Sequence, residues 1–122
     1  EILKLIEHLN PNQEQGRITL ITRFGKDKVQ VSIKSDIEAA LAVQMKTADY
    51  YFGACATGAG GALAIAIGLL GPQSCASISI PGKIMSETEI RKAVQDGKVA
   101  FGFVNNDAEK VIPMIMDEIF KK

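Results

Sequence analysis

The chain has 122 residues, enough for one domain that buries a core without disulfides or bound metal. Its 14 basic and 14 acidic side chains cancel, which argues against a nucleic-acid-binding protein. The longest apolar stretch, residues 59–71, is shorter than the roughly 20 residues that a membrane-spanning helix needs, so we expect no membrane partner. The sequence has no signal-peptide pattern and no metal-type cysteine spacing. We therefore expect a cytoplasmic protein with free thiols, no metal and no cofactor.

The first third of the chain is predicted to form a helix followed by a β-hairpin. Apolar side chains in residues 1–9 recur at the spacing of an amphipathic helix. Residues 18–24 and 29–33 are rich in β-branched side chains and are predicted to be strands. The glycine-containing segment 25–27 between them is typical of a turn, so the two strands are expected to pair.

From residue 29 onward, predicted strands and helices alternate strictly. Capping boxes begin at Ser35 and Ser86, and Asn106 is the expected cap of the last helix. The helices are predicted at residues 35–47, 58–70, 86–96 and 106–120, and the strands between them at 49–55, 75–80 and 99–104. This alternation predicts a single α/β domain over residues 1–122. Its expected form is a Rossmann-like, three-layer fold with a mainly parallel sheet and helices on both faces.

The most informative motif follows the predicted strand at residues 49–55. It reads Cys55-Ala56-Thr57-Gly58-Ala59-Gly60-Gly61, and we call it the cysteine–glycine turn. Glycines at the start of a helix let a ligand oxygen reach backbone N–H groups, and the positive end of the helix dipole favours an anion. The same end favours the thiolate form of Cys55, the form that acts as a base or a nucleophile. The alternative is structural: the glycines allow close helix–sheet packing, and Cys55 is a small buried hydrophobe.

Residues that follow the other strands are further candidates, because ligands of such sheets bind at the carboxyl ends of the strands. The ligand-binding residues predicted in this way are Thr57, Gly58, Gly60, Gly61, Asp36, Lys83 and Asn105. Asp36 and Asn105 also suit helix capping, and Lys83 also suits a solvated loop. Cys75 begins an apolar strand and is predicted to lie in the core, whereas His8 is predicted to be solvated.

Residues 29–122 resemble an uncharacterised bacterial family of small cytoplasmic proteins. The resemblance rests on the segments 34–40 and 48–55, on the glycine-rich motif YFGACxTGxGGAL, and on the segments 81–83 and 97–102. That family has no established activity, so the resemblance implies a cytoplasmic location and no reaction.

Residues 49–67 are also similar to a segment of ribose-5-phosphate isomerase B and the galactose-6-phosphate isomerases. This resemblance implies that Cys55 is the base that moves a proton between sugar carbons. It further implies that Thr57, Gly58 and Gly60 hold the developing enediolate. Subunits of that family share sites, which implies a homo-oligomer, and the apolar helix at residues 62–70 suits an interface.

The isomerases also use histidine and arginine side chains that this chain does not provide in the same places. The sole histidine is His8, in the first predicted helix. The arginines are Arg17, Arg23 and Arg91, and none of them follows a predicted strand.

Two functions follow from these observations. The first is the binding of a small anionic metabolite, sugar phosphate-like, at the cysteine–glycine turn, with isomerase-like proton transfer by Cys55. The second is a non-catalytic regulatory or structural subunit that binds a protein partner. The reactivity of Cys55 and its protection by metabolites distinguish the two.

Overall fold

The computed structural model describes residues 17–24, 29–33, 35–55, 61–104 and 107–121. The strands are β1 (Arg17–Phe24), β2 (Val29–Ile33), β3 (Tyr50–Cys55), β4 (Cys75–Ser77), β5 (Ser79–Ile80), β6 (Lys83–Ile84) and β7 (Ala100–Val104). The helices are α1 (Asp36–Gln44), α2 (Gly61–Leu70), α3 (Glu87–Gln95) and α4 (Ala108–Phe120), with a short 3-10 turn at Pro72–Ser74. The predicted helix at residues 1–9, His8 and the turn at 25–27 lie outside the described residues.

The main sheet has five strands in the order β2-β1-β3-β7-β4. The strands β3, β7 and β4 are parallel, and β1 pairs antiparallel with both β2 and β3. The predicted α/β fold is confirmed, and so is the pairing of the first two strands as a hairpin. The finer Rossmann-like description stays a prediction.

Helices cover both faces of this sheet, as right-handed crossovers require. On one face, α1 and α2 pack over a core of small residues: Ala39, Ala40, Ala48, Ala66, Cys75 and Ala100, with Val43, Leu63 and Tyr51. We call these two helices and their core the α1–α2 layer. The α3–α4 layer covers the other face, where the tilted rings of Phe52 and Phe101 have centroids 5.7 Å apart.

The capping residues agree with the sequence pattern at α3 and differ in detail elsewhere. At α3, Ser86 and Glu89 form the complete reciprocal capping box that was predicted. At α1, the Ser35 hydroxyl accepts from the Glu38 N–H and donates to the Glu38 carboxylate at 2.9 Å. At α4, the N-cap is Asp107, one residue after the predicted Asn106, which lies outside the described residues.

Candidate functional site

The carboxyl ends of the parallel strands lie side by side along one edge of the sheet, which we call the carboxyl edge. Cys55 at the end of β3 is in register with Val104 at the end of β7. Ser77 at the end of β4 is in register with Gly102 of β7. The three strands therefore end within two register positions of one another along this edge.

The strands β3 and β7 are neighbours, but the helices that follow them pack on opposite faces. β3 leads into α2, whose Leu63 and Ala66 belong to the α1–α2 core. β7 leads into α4, whose Ile112 and Ile115 belong to the α3–α4 core. Adjacent strands whose connections diverge in this way leave a crevice between their carboxyl ends, and open α/β sheets bind ligands in that crevice. The cysteine–glycine turn begins there, at Cys55.

The structure brings part of the predicted site to this edge. Cys55 is the last residue of β3, and Gly61 is the first residue of α2. Asp36 is the first residue of α1, shortly after the end of β2. The other predicted residues, Thr57, Gly58, Gly60 and Asn105, lie outside the described residues. The described part of the turn therefore consists of its two ends.

Lys83 is placed differently from the sequence expectation, because the predicted strand at residues 75–80 leaves the sheet early. The Ile78 N–H still donates to the Gly102 carbonyl at 2.7 Å. At the next position the backbone hydrogen bond between the strands is replaced by a bond to a side chain. The Ser79 hydroxyl accepts from the Val104 N–H at 2.8 Å. The chain then turns back at Gly82, whose φ is 81°, and Lys83 lies exposed in the separate β5–β6 hairpin.

Sequence reasoning missed Arg17 as a candidate. Arg17 begins β1, and its partner in the antiparallel register is Cys55. Because β1 runs against β3, the first residue of β1 reaches the carboxyl edge. Arg23, near the other end of β1, pairs with Gln30 away from this edge. In the sequence Arg17 precedes a predicted strand, and only the direction of that strand brings it to the carboxyl edge.

A pocket with a volume of about 280 Å³ opens beside the end of β4 and was also missed. Its lining residues are Ser77, Ile78, Ser79, Ile80, Lys83, Met85 and Glu89. We call it the hairpin pocket. The sequence signal for it is the pair of serines at alternate positions of an otherwise apolar strand.

Cys75 lies in the α1–α2 core with 7% of its surface exposed, as the sequence predicts. It is a free thiol. Burial raises the pKa of this thiol, and the positive charge of Lys98 opposes that effect. Cys75 is therefore a protonated, shielded thiol at neutral pH, unlike the thiolate expected for Cys55.

A second pocket, of about 390 Å³, lies at the opposite end of the strands, where α1 and α2 end. Val43, Leu69 and Val99 supply much of its apolar wall, with Lys46 and Asp49 at its polar side. It contains none of the predicted site residues. In the described part of the chain, no three His, Cys, Asp or Glu side chains are grouped as a metal site would require.

The family model described as "Protein of unknown function DUF2620" matches residues 12–119, so the chain belongs to this family. The protein named "Uncharacterized protein YhfU" in Escherichia coli strain K12 is 42% identical over 90 residues, which cover 74% of this chain and 77% of that protein. The protein of the same name in Shigella flexneri matches with the same identity and coverage. No solved structure matches the chain significantly. Among the helices that the structure describes, none is long and apolar enough to span a membrane.

Proposed function

We propose that this protein binds a small anionic metabolite, sugar phosphate-like, in the crevice between β3 and β7, and that Cys55 transfers a proton within it. The observation that carries the proposal is the position of Cys55 and Gly61 on either side of the turn at that crevice. A helix that starts there directs its positive end towards a bound anion. Arg17, in register with Cys55, brings a cationic residue to the same edge.

The proposed reaction needs a base, an anion hole and an open-chain substrate with a hydroxyl group beside its carbonyl. The Cys55 thiolate removes a proton from the hydroxyl-bearing carbon, and the electron pair moves to the carbonyl oxygen. Backbone N–H groups at the start of α2 stabilise the resulting enediolate. The Cys55 thiol then returns the proton to the former carbonyl carbon, while a proton passes between the two oxygens. The carbonyl has thereby moved by one carbon.

Thiol labelling tests the first requirement of this proposal. Iodoacetamide at neutral pH is expected to label Cys55 faster than a small-molecule thiol, whereas Cys75 reacts only on unfolding because it is buried. The Cys75→Ala variant is the control, and it should keep the fast phase. Ribose 5-phosphate or galactose 6-phosphate should slow the labelling. A Cys55 that reacts no faster than a small thiol, and that neither sugar phosphate protects, contradicts catalysis by Cys55.

Isotope exchange tests the chemistry itself. In D₂O, the wild-type protein is expected to exchange the proton next to the carbonyl of a bound sugar phosphate, which proton NMR detects. Cys55→Ser should lose the exchange but keep binding, because a serine hydroxyl is a much weaker base at neutral pH. Arg17→Gln should weaken binding more than Arg23→Gln, its counterpart at the far end of β1. Equal exchange by wild type and Cys55→Ser contradicts the proposal.

We further propose a homo-oligomer that uses the outer surface of the α1–α2 layer. Ile37, Leu41 and Met45 follow one another at single-turn spacing and are 57%, 37% and 70% exposed. The adjacent helix α2 contains no charged or polar side chain and exposes Ile67. An apolar surface of this kind marks an interaction site more often than a solvated face.

Sedimentation of wild type and of Ile67→Lys tests this assembly. Wild type is expected to sediment as an oligomer, and the variant as a folded monomer with unchanged circular dichroism. A wild-type monomer at every concentration contradicts self-association. The same surface favours the second candidate function, a non-catalytic subunit that binds a different protein. In that case the Cys55→Ala variant keeps partner binding and no metabolite protects Cys55.

A further inference from the structure

The hairpin pocket is lined by apolar side chains, by two serines, and by one residue of each charge. Ile78, Ile80 and Met85 form the apolar part of its lining. Its polar part includes Ser77, Ser79 and Lys83. A volume of about 280 Å³ lies at the small end of the range for ligand sites, so the pocket suits part of a small metabolite.

The Ser77 hydroxyl is the least expected of these groups. Its oxygen is buried and has no hydrogen-bond partner among the residues that the structure describes. Buried hydroxyl groups are nearly always satisfied, because an unsatisfied one loses its hydration without compensation. This oxygen has almost no accessible surface, so a ligand accepts its hydrogen bond once the hydroxyl turns towards the pocket that Ser77 lines, and that bond would remove the penalty.

The neighbouring groups indicate the chemistry of that ligand. Ser79 accepts a hydrogen bond from the Val104 N–H, which leaves its own proton to donate. Lys83 adds an ammonium group with three donors. The carboxylate of Glu89 already accepts from the Ser86 N–H and hydroxyl, at 3.2 and 3.1 Å, which holds it at the start of α3. Several donors and one cation match an oxyanion.

The pocket adjoins the crevice through a single residue. Val104 donates its N–H to Ser79 and is in register with Cys55 on its other side. The strand β7 alone separates β4 from β3, so the two sites are about two strand spacings, or roughly 10 Å, apart. A short metabolite with its reacting carbons at Cys55 can therefore extend towards Ser77 and Lys83.

We propose that the hairpin pocket holds the terminal oxyanion, a phosphate or a carboxylate, of the metabolite whose reacting end lies at the cysteine–glycine turn. This inference rests on the proposed function for the identity of the metabolite. It defines the substrate class as a chain-like molecule with an oxyanion distant from its carbonyl. It also gives Ser77 and Lys83 the role of binding residues without a part in proton transfer.

Titration with inorganic phosphate, followed by backbone amide NMR shifts, tests the pocket directly. Phosphate is expected to shift the amide signals of Ser77, Ser79 and Val104 in a saturable way. Ser77→Ala and Lys83→Gln should each weaken phosphate binding about tenfold, the effect of one lost charge-assisted hydrogen bond. Lys92→Gln, which removes an exposed charge from α3, is the matched control and should bind as wild type does. Acetate, titrated in parallel, distinguishes a carboxylate site from a phosphate site.

The unfolding midpoint of Ser77→Ala separates a binding role from a structural one. Without phosphate, this variant should unfold at the same temperature as wild type or above it, since it removes a buried hydroxyl that lacks a partner. With phosphate, the unfolding temperature of wild type should rise more than that of the variant. A variant that unfolds below wild type without phosphate, and binds phosphate equally well, overturns the inference.

The remaining outcomes distinguish this inference from the proposed function. If both pocket variants bind phosphate as wild type does while sugar phosphates still protect Cys55, the pocket proposal fails and the proposed function stands. If the pocket variants lose phosphate but no sugar phosphate protects Cys55, the pocket stands and the proposed function fails. If phosphate and acetate leave every amide signal unchanged, the pocket proposal fails.

Discussion

The two helical layers that cover the sheet are built in opposite ways. The α3–α4 layer buries large side chains, including Phe101, Phe103 and Ile112, and its outer surface is mainly polar, with Phe120 as an exposed exception. The α1–α2 layer has a core built mainly of alanines, and its exposed side chains include Ile37 and Met45. The first layer thus buries most of its apolar side chains within one chain, whereas the second exposes an apolar outer surface to water.

The polar surface of the α3–α4 layer is tied together by one side chain. Arg91 on α3 contacts Glu87 on its own helix at 2.9 Å. It also reaches Asp117 and Glu118 on α4, at 2.7 and 3.2 Å. Glu118 is buried and accepts from Gln95 at 2.9 Å as well. The two layers therefore differ in how their outer surfaces are built, and the cysteine–glycine turn leads into the second layer through α2.

The largest effect on stability is expected from truncating a side chain of the α3–α4 core. Phe101→Ala should lower the free energy of unfolding by about 3–5 kcal/mol, because it leaves a cavity beside Phe52. Ile37→Ala, in the exposed row of α1, should change it by less than about 0.5 kcal/mol in dilute protein. Chemical denaturation followed by circular dichroism measures both. A large loss of stability for Ile37→Ala would mean that this side chain is covered in solution. The two layers would then differ in how they assemble and not in how much they stabilise the fold.

The ion pairs of Arg91 make a second, pH-dependent contribution to the stability of the α3–α4 layer. The Arg91 contact, with help from Lys121, holds the pKa of Asp117 below its usual value of 3.8. Gln95 and then Arg91 lower the pKa of Glu118 below 4.5. Carboxyl groups with a lowered pKa stabilise the folded state above their ordinary pKa, and that stabilisation is lost as the pH falls through those values.

Arg91→Met should therefore unfold at a lower temperature than wild type at pH 7 and lose less stability between pH 6 and about pH 3. Thermal unfolding across this pH range measures the difference. Lys92→Met, which removes an exposed charge next to Arg91 in sequence, should keep the wild-type pH dependence. Parallel curves for wild type and Arg91→Met would show that these ion pairs contribute nothing specific to folding.

Much of the fold could be predicted from the sequence because its signals are local. The strand at Val29–Ile33 was placed at its observed bounds by alternation, and Ser86 and Glu89 marked the start of α3. The departure of the chain from the sheet after Ser77 could not be predicted. It depends on the Ser79 hydroxyl meeting the Val104 N–H, two groups that are 25 positions apart in the sequence.

Cys55 and Gly61 could be proposed from the sequence because they belong to one local motif, and the structure puts them at the end of β3 and the start of α2. Arg17 and Ser77 were missed because their relation to Cys55 depends on strand order and direction. The strand order β2-β1-β3-β7-β4 brings an early arginine and a late serine to one edge. No periodicity within a segment contains that information, so only the assembled sheet reveals it.

The smallest expected effect compares the two serine caps, one in each layer. Ser86→Ala removes the hydroxyl half of the capping box and leaves the backbone N–H of residue 86 to donate to Glu89, so it should cost about 1 kcal/mol. Ser35→Ala loses the same two hydroxyl bonds, one to the Glu38 carboxylate and one from the Glu38 N–H, so it should cost about as much. Denaturant midpoints of the two single variants measure the difference. If Ser35→Ala lowers the free energy of unfolding more than Ser86→Ala does, the start of α1 contributes more to stability than its cap implies. The stability of the α1–α2 layer would then depend less on assembly than its exposed apolar side chains indicate.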